Sequence, residues 1–400
     1  MPLEIETPLP YQRDSGCPFD PGPRLRQVQR EDPMHRYRLP NGQDIWVVTR
    51  YDDVRQMFTD PRLSSALTPL TLMLPGIDDD QLEVSPGSFV NMDPPEHTRL
   101  RRTVASSFTA RRMRELTPRL ERIAENCLDA MEHTGPPADF MTAFAFPFPL
   151  LAICELLGLT DEERDEYIAL TAKAAAGLAA TAEEVKDLVG AAHRFMSDIV
   201  TAQRAAPGDG MIGMLVSEHG DELDDEEIVG ISNMFLSAGF DTTANTIGMG
   251  LLALFDNPDQ LALLRDDPTV LDTAAEELMR YLSVISATSG RTATEDLELG
   301  GVTIKAGEYV VPALAVANRD PAHYADPDRL DLTRTPAQQV GFGHGIHRCT
   351  GATMTLLELK IAFPAVLRRF PGLRLAIPRE ELVYRGYNMV HGALSIPVVW

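Results

Sequence analysis

Apolar residues recur at three- and four-residue spacing through the middle of the chain, the pattern of helices that bury one face. This spacing predicts long helices over residues 112–131, 182–204, 225–255 and 269–281. Short apolar runs predict strands at residues 45–49, 303–304, 309–313 and 394–399. Because helices fill the centre of the chain and strands lie towards its ends, we expect a mainly α (α+β) protein with a minor sheet.

The composition is that of an ordinary globular protein. Of its 400 residues, 44% are hydrophobic and 24% charged, which is enough apolar material for a large core. No Gly/Ser-rich or Pro-rich linker divides the chain, so we expect a single domain over residues 1–400. The N-terminus lacks a signal pattern, and no apolar run approaches the ~20 residues needed to span a bilayer. We therefore expect a soluble, cytoplasmic protein that does not bind membranes.

The formal net charge of −23 disfavours nonspecific binding to nucleic acids or anionic membranes. Basic residues nevertheless form a local cluster, which consists of Arg99, Arg101, Arg102, Arg111, Arg112 and Arg114. Taken alone, this cluster is best interpreted as the solvated face of a helix.

The four cysteines are far apart and form no CxxC pair, which argues against a disulfide framework or a zinc ribbon. Cys127 and Cys154 stand in apolar helical stretches, where a thiol behaves as a small core residue. Cys349 is different, because a glycine-rich loop surrounds it.

Gly341, Gly343 and Gly345 precede Cys349, and Gly351 follows it, so the backbone here can curl and approach a flat ligand closely. Loop amides, together with the N-terminus of a helix predicted at residues 353–359, would stabilise negative charge on the sulfur. A single soft ligand of this kind suits an iron that takes its other ligands from a macrocycle.

Residues 342–351 resemble the haem-binding loop of cytochromes P450, a Phe-Gly-x-Gly-x-His-x-Cys-x-Gly string of which every fixed position is present. The resemblance covers nearly the whole chain. It implies the triangular helical prism with small β-sheets of that family, of the soluble bacterial type. It also implies haem b with Cys349 as the axial iron ligand. Thr350 and Leu356 depart from the leucine and arginine that are common in the family.

Residues 235–246 place small residues, an acid and hydroxyls in mid-helix, against helix propensity. The hydroxyls can bond back to the preceding turn. Close packing of two helices through Ala238 and Gly239 explains the segment as well as function does. The segment also resembles the oxygen-activation motif of the family. By that resemblance Gly239 leaves room for dioxygen, Thr242 hydrogen-bonds the activated oxygen, and Asp241 relays protons.

Glu277 and Arg280 lie three apart on one helix face, a spacing that is common in surface pairs. They also resemble the Glu-x-x-Arg motif of the family, which supports the proximal side of the haem structurally. The same resemblance assigns Arg329 as the arginine that completes this network.

The resemblance further assigns four basic residues to the haem propionates, namely His97, Arg101, Arg291 and His347. An ordinary exposed histidine at a helix start is the alternative for His97, but its spacing from Arg101 favours the functional interpretation. We expect His344 to lie near the surface. The resemblance places the substrate above the haem, with candidate contacts that could each also be core: Leu72, Met73, Leu74, Val84, Ala238, Val284, Ile285, Ala287 and Met389.

The resulting hypothesis is a haem-thiolate monooxygenase that hydroxylates or epoxidises an apolar small molecule, by family analogy a secondary metabolite. It would use O2 and electrons from ferredoxin and ferredoxin reductase, with the arginine cluster as a docking site. One alternative keeps the fold but performs ring formation, coupling or peroxide-driven chemistry. Another is a non-catalytic haem sensor. A zinc site of His344, His347 and Cys349 is a third, although it has only three ligands.

Overall fold

Helices dominate the computed structural model of the chain, which describes residues 8–14, 16–39, 42–67, 85–175, 182–288, 290–335, 338–386 and 389–400. The α-helices of these ranges are α1 (Pro23–Glu31), α2 (Tyr51–Thr59), α3 (Glu96–Val104), α4 (Ala110–Thr134), α5 (Pro147–Leu157), α6 (Asp161–Ala175), α7 (Ala182–Ala205), α8 (Met211–His219), α9 (Asp225–Gly239), α10 (Asp241–Asp256), α11 (Pro258–Asp266), α12 (Leu271–Leu282), α13 (Leu314–Ala317) and α14 (Ala352–Arg369). The strands are β1 (Met34–Arg38), β2 (Asp44–Val48), β3 (Leu63–Ser64), β4 (Ala138–Asp139), β5 (Arg291–Ala293), β6 (Leu297–Leu299), β7 (Val302–Ile304), β8 (Tyr309–Pro312), β9 (Arg374–Leu375) and β10 (Pro397–Val399). The prediction of a mainly helical protein with small sheets is confirmed.

The helix predicted over residues 112–131 is confirmed as α4, which begins where the Thr109 hydroxyl accepts a hydrogen bond from the Arg112 amide. Its apolar stripe, with Leu120 and Leu128 fully buried, packs against α5 and α14. Truncating one such leucine to alanine typically costs about 2–5 kcal/mol of stability. The stripe therefore anchors α14, the helix that follows Cys349.

The single helix predicted over residues 225–255 is in fact two helices. A capping box of Asp224 and Glu227 begins α9, and α9 ends at Gly239. Phe240, with φ −102° and ψ −46°, separates it from α10, which begins at Asp241. Hydrogen bonds from side chains in this region to the preceding turn, described below, account for the interruption.

The largest sheet joins distant parts of the chain in the order β1-β2-β8-β5-β3. Strands β2 and β8 pair in parallel, and β5 pairs with β8 and β3 in antiparallel fashion. The predicted strands at 45–49, 303–304 and 309–313 correspond to β2, β7 and β8. Strand β5 was not predicted because Arg291 and Thr292 give it no apolar run.

The strand predicted over residues 394–399 is too long, because only Pro397–Val399 forms β10. The Leu394 amide instead donates to the Val383 carbonyl at 2.8 Å. The helix predicted over 182–204 is α7, and the one over 269–281 begins at Leu271, after a short 3-10 turn. In the described part of the chain, no helix is both long enough and apolar enough to cross a membrane.

Candidate functional site

A cavity of about 290 Å³ lies between the Cys349 loop on one side and helices α9 and α10 on the other. Pockets for small molecules typically measure about 300–1,000 Å³, so the cavity is close to the lower end of that range. Cys349 and Thr242 both line it, so the structure brings together the two motifs that the sequence placed far apart.

The loop around Cys349 has a shape that requires glycine. Gly343 and Gly345 have φ of +68° and +71°, a region that L-residues with side chains rarely adopt. A Cβ atom on Gly345 would lie 2.4 Å from the Phe58 carbonyl oxygen. The Cys349 amide donates to the Phe342 carbonyl at 2.8 Å, and α14 begins shortly afterwards at Ala352. The loop thus fixes the thiol just before a helix N-terminus, as predicted.

Protein atoms surround the Cys349 sulfur densely, although the residue is exposed where it lines the cavity. Burial raises the pKa of this thiol, and it outweighs the lowering effects of the Gly351 backbone and of the Arg348 and Arg101 charges. The predicted loop amides therefore act in the expected direction but do not produce a thiolate by themselves. A bound metal cation would supply the missing charge, since coordination deprotonates a thiol. The environment suits a metal ligand better than a free nucleophile.

Four basic side chains gather at one edge of the cavity. Arg101, Arg291 and His347 line it, and the ring of His97 lies 4.1 Å from that of His347. His97 is only 2% exposed, yet neither ring nitrogen has a hydrogen-bond partner among the described residues. Buried polar atoms normally have hydrogen-bond partners. The protein provides none for the His97 ring, so we expect a bound group to supply an acceptor at this edge.

The electrostatics of this edge point to an anion. Burial and the charges of Arg291 and His97 lower the pKa of His347 to about 3. Burial also lowers the pKa of Arg291 to about 10 and shifts the pKa values of His97 and Arg101 downwards. Negative charge placed here would relieve all of these shifts. A haem carries two carboxylates, and it needs an iron ligand beside them. The four basic side chains and the Cys349 thiol therefore fit a haem.

The zinc hypothesis finds no geometric support. The His344 ring lies 3.4 Å from the Arg55 guanidinium and is not among the residues that line the cavity. Within the described ranges, no three His, Cys, Asp or Glu side chains are arranged so that they could hold a metal ion.

On the opposite side, the hydroxyls of α10 bond back to the preceding turn as predicted. Thr242 Oγ1 donates to the Ala238 carbonyl at 3.1 Å, and Thr243 Oγ1 to the Gly239 carbonyl at 3.3 Å. These bonds bridge the interruption between α9 and α10. They hold the Thr242 hydroxyl on the cavity wall.

Gly239 fits the packing interpretation. A Cβ atom on it would lie 3.0–3.5 Å from the Ile153 side chain of α5, so the missing side chain makes room for a neighbouring helix. Gly239 also lines the cavity, but no contact in the structure tests the predicted role of leaving room for dioxygen.

Asp241 is not among the residues that line the cavity. Both of its carboxylate oxygens accept from Arg385, with Nη1–Oδ2 at 2.9 Å and Nη2–Oδ1 at 2.8 Å. Asn245 Nδ2 donates to the same Oδ1 at 3.0 Å. Arg385 could not be predicted from the sequence, because it lies outside every recognised motif and 144 positions from Asp241. The predicted proton relay would thus begin from a carboxylate that already accepts three hydrogen bonds.

The support network is present, but one of its predicted members is wrong. Glu277 and Arg280 form a buried bidentate pair at 2.7 and 2.8 Å. The second arginine on Glu277 is Arg334, whose Nε lies 3.1–3.2 Å from the carboxylate, and not Arg329. Leu330 takes the buried position in this turn, so the side chain of Arg329 faces solvent and only its carbonyl joins the network.

Among the substrate candidates, Ala238, Val284 and Ile285 line the cavity. Ala287 is instead fully buried in a separate core cluster, against which Met389 also packs. The candidates Leu72, Met73, Leu74 and Val84 lie outside the described residues. The prediction omitted other apolar lining residues, which nothing in sequence distinguishes from core: Phe89, Val90, Met234 and Phe235.

Acidic partners pair with most of the arginine cluster that was proposed as a docking site. Arg99 pairs with Glu96 and Glu227, and Arg102 pairs with Glu222 at 3.1 Å. Arg111 and Arg112 both lie within 4 Å of Glu115, at 3.7 and 3.6 Å. These pairs favour the interpretation of a solvated helix face.

Comparisons with known proteins agree with this geometry. A family model described as Cytochrome P450 matches residues 178–374. Vitamin D(3) 25-hydroxylase from Pseudonocardia autotrophica is 40% identical over 386 residues, covering 95% of this chain and 93% of the relative. Mycinamicin IV hydroxylase/epoxidase from Micromonospora griseorubida is 37% identical over 384 residues, covering 94% and 95%. Cytochrome P450 GfsF from Streptomyces halstedii is 39% identical over 406 residues, covering 100% and 97%. The crystal structure of GfsF matches with a TM-score of 0.90 over 98% of this chain and 100% of that chain.

Proposed function

This chain belongs to the cytochrome P450 family and is an oxidoreductase of the monooxygenase type, and from that premise we propose that it hydroxylates or epoxidises an apolar secondary metabolite. The observation that carries the proposal is the division of the cavity into two parts. One part combines the Cys349 thiol with the four bases. The other part is a wall of uncharged side chains, which includes Phe89, Val90, Met234, Phe235, Ala238, Val284 and Ile285.

The family implies a haem cofactor, and we propose that it is haem b. Cys349 would hold the iron, and the cluster of His97, Arg101, Arg291 and His347 would hold the propionates. When bound, haem supplies the iron chemistry by which one atom of dioxygen enters the substrate and the other leaves as water. The Thr242 hydroxyl donates its single proton to the Ala238 carbonyl, so it would donate into the cavity only after it turns away from that carbonyl. Asp241 would exchange protons with solvent.

The uncharged wall supports a neutral, largely apolar substrate. Burying a charged group there would leave it without a partner, at a cost of several kcal/mol. Each 100 Å² of apolar substrate surface removed from water contributes about 2.5 kcal/mol to binding. Vitamin D3, which appears in the name of one relative, is a neutral, largely apolar molecule to test first.

The family also implies redox partner proteins, and we propose a ferredoxin with its reductase. The surface outside the Cys349 loop supports this docking position, since Ile346 is 51% exposed and Arg348 is exposed beside it. An apolar residue beside a cation suits an acidic partner protein. Because carboxylates already pair with most of the arginine cluster, that cluster contributes less than its charge suggests.

The first experiment is the absorption spectrum of the reduced, carbon monoxide-bound protein. We expect the red-shifted Soret band of a thiolate-ligated haem, and we expect Cys349→Ser to abolish the shift. An unshifted band in the wild-type protein would rule out the thiolate ligand. Titration of the oxidised protein with vitamin D3, against a long-chain fatty acid as the charged control, then tests the substrate class.

A further inference from the structure

Two antiparallel arms near the C-terminus, residues 383–386 and 389–394, form what we term the C-terminal ribbon. Tyr384 and Ala393 form an antiparallel bridge. The Arg385 amide donates to the Gly392 carbonyl at 2.8 Å, and the Leu394 amide to the Val383 carbonyl at 2.8 Å. Hydrogen bonds therefore tie the two arms to each other, so that movement of one arm displaces the other.

The first arm is attached to α10. The Arg385 side chain, 15% exposed, holds Asp241, which is 28% exposed, through both of its terminal nitrogens. Bidentate arginine–carboxylate pairs of this type fix geometry as well as charge. The ribbon also packs closely on the next turn of the helix, since a Cβ atom on Gly392 would lie 1.7 Å from Asn245 Oδ1.

The second arm is attached to a different wall of the cavity. Val390 forms an antiparallel bridge with Ile285, and the His391 amide donates to the Val284 carbonyl at 2.7 Å. Val284 and Ile285 both line the cavity. Thr242, the residue after Asp241, lines it from α10. The ribbon thus joins two walls that a bound molecule would touch at the same time.

We propose that the C-terminal ribbon is a clamp that couples filling of the cavity to the position of Asp241, with Arg385 as its positioning residue. Three donors from Arg385 and Asn245 occupy the Asp241 carboxylate. These donors fill three of its roughly four acceptor sites and hold it towards Arg385, so turning it towards Thr242 breaks the bidentate pair. A molecule that presses on Val284 and Ile285 displaces the second arm, and the hydrogen bonds between the arms carry that displacement to Arg385. The use made of the proton rests on the proposed function, whereas the coupling itself does not.

The test compares two azoles that bind haem iron and differ in size. Imidazole is a single small ring, whereas miconazole carries further aromatic rings that would extend towards the Val284–Ile285 wall. Because filling of the cavity loosens the Arg385–Asp241 tie in this proposal, miconazole binds against that tie, and removing the tie lowers the cost of binding. We expect Arg385→Gln to strengthen miconazole binding about tenfold, the effect of one charge-assisted tie, and to change imidazole binding less than about twofold. Weaker miconazole binding, equal effects on both azoles, or no effect on either would overturn the clamp.

A matched control lies at the end of α14. Arg369 pairs with Glu125 and Asp129 of α4, at 2.7 and 2.6 Å, and not with the ribbon. Arg369→Gln removes a comparable ion pair, and we expect it to leave both azole affinities unchanged. If Arg369→Gln strengthens miconazole binding as much as Arg385→Gln does, general loosening of the protein explains the effect and the proposal is wrong.

A double-mutant cycle then asks whether Arg385 acts through Asp241. We expect Asp241→Asn to strengthen miconazole binding as Arg385→Gln does, and the double variant to bind no more tightly than either single one. Additive gains would show that Arg385 acts by another route. Arg385→Lys keeps the charge without the fork, and we expect intermediate affinity from it.

Amide hydrogen exchange in the haem-bound protein provides the second readout. We expect miconazole, but not imidazole, to change exchange at the Arg385 and His391 amides. Unchanged exchange with miconazole would overturn the proposal, as would a wild-type protein that binds imidazole but not miconazole. These measurements need bound haem but no turnover, so a failure of the proposed monooxygenase reaction would leave their outcome unaffected.

Discussion

The two faces of the cavity differ in how the chain builds them. The proximal face comes from one stretch, residues 341–351, whose shape depends on glycines at positive φ and on the hydrogen bond from Cys349 to Phe342. The distal face combines α10, the residues after α12 and the C-terminal ribbon. A local motif can specify the first kind of construction almost completely. It specifies the second only in part, because the partners come from distant segments.

The acids that support the two faces also differ in burial. Glu277 on the proximal side is 1% exposed and is held by Arg280 and Arg334. Asp241 on the distal side is 28% exposed and is held by Arg385 and Asn245. Removing one partner of a fully buried pair leaves a charge without water, whereas water can compensate at a partly exposed pair. We therefore expect substitutions at the proximal ion pair to reduce the stability of the protein more than substitutions at the distal pair.

The largest expected effect is on stability. We expect Glu277→Gln to cost about 3–5 kcal/mol of unfolding free energy, because it leaves two arginines without a carboxylate. We expect Asp241→Asn, the matched change on the distal side, to cost only about 1 kcal/mol. Urea denaturation of the haem-bound variants measures both. Equal losses would remove the distinction between the two faces.

The same distinction explains what could be predicted from the sequence. The Cys349 loop, the helix after it and the Glu277–Arg280 pair were predicted correctly, because each involves residues within a few positions of one another. The hydrogen bonds from the Thr242 and Thr243 hydroxyls to the preceding turn were also predicted correctly, because they join residues four positions apart. The interruption at Phe240 was missed, because the hydrophobic pattern continues through it.

The errors arose where the partner lies far away or where only packing decides. Arg329 was assigned to the network by its motif alone, and Arg334, which makes the contact, was missed. The burial of Leu330 next to the exposed Arg329 shows which side chain of the motif faces inwards. Arg385 was missed altogether, as its partner Asp241 lies on another part of the chain. Ala287 was assigned to the cavity and lies in a separate core cluster, because apolar residues in both places look alike in sequence.

The second prediction tests the backbone of the proximal face. Gly345→Ala adds a Cβ atom 2.4 Å from the Phe58 carbonyl oxygen at a φ of +71°. Gly301→Ala is the control, because it imposes a similar φ of +84° with no heavy atom within 4 Å of the new Cβ. Backbone strain alone costs about 1–3 kcal/mol. We expect Gly345→Ala to exceed the control in lost stability and to lower the haem content of the purified protein. Full haem content would show that the loop can shift.

The third prediction concerns pH and the distal face. Burial, followed by the charges of Arg13 and Arg385, lowers the pKa of His391 to about 3, whereas an unfolded histidine has a pKa of about 6.5. The unfolded chain therefore binds a proton between these values that the folded protein does not. The folded protein loses stability as pH falls, by about 2 kcal/mol between pH 7 and pH 5.

Denaturation of the wild-type protein and of His391→Gln at pH 7 and pH 5 measures this contribution. We expect the variant to lose about 2 kcal/mol less than the wild type over this interval. An identical pH dependence would mean that the pKa of His391 is the same in the folded protein as in the unfolded chain. It would also mean that the ribbon is more open to water than the partly buried position of His391 indicates.

The smallest expected effect lies on the outer surface of the proximal face. Arg348 is exposed beside Cys349, whereas Arg102 is paired with Glu222 at 3.1 Å. If an acidic ferredoxin docks here, Arg348→Gln should slow reduction of the haem about fivefold at low salt, equivalent to about 1 kcal/mol. Arg102→Gln should change the rate less, because Glu222 already neutralises that charge. The difference should shrink as salt is added, since exposed charges are screened. Stopped-flow reduction by a plant-type ferredoxin measures the rates. If instead the two variants slow reduction equally, the partner docks on the arginine cluster and not on the surface of the Cys349 loop.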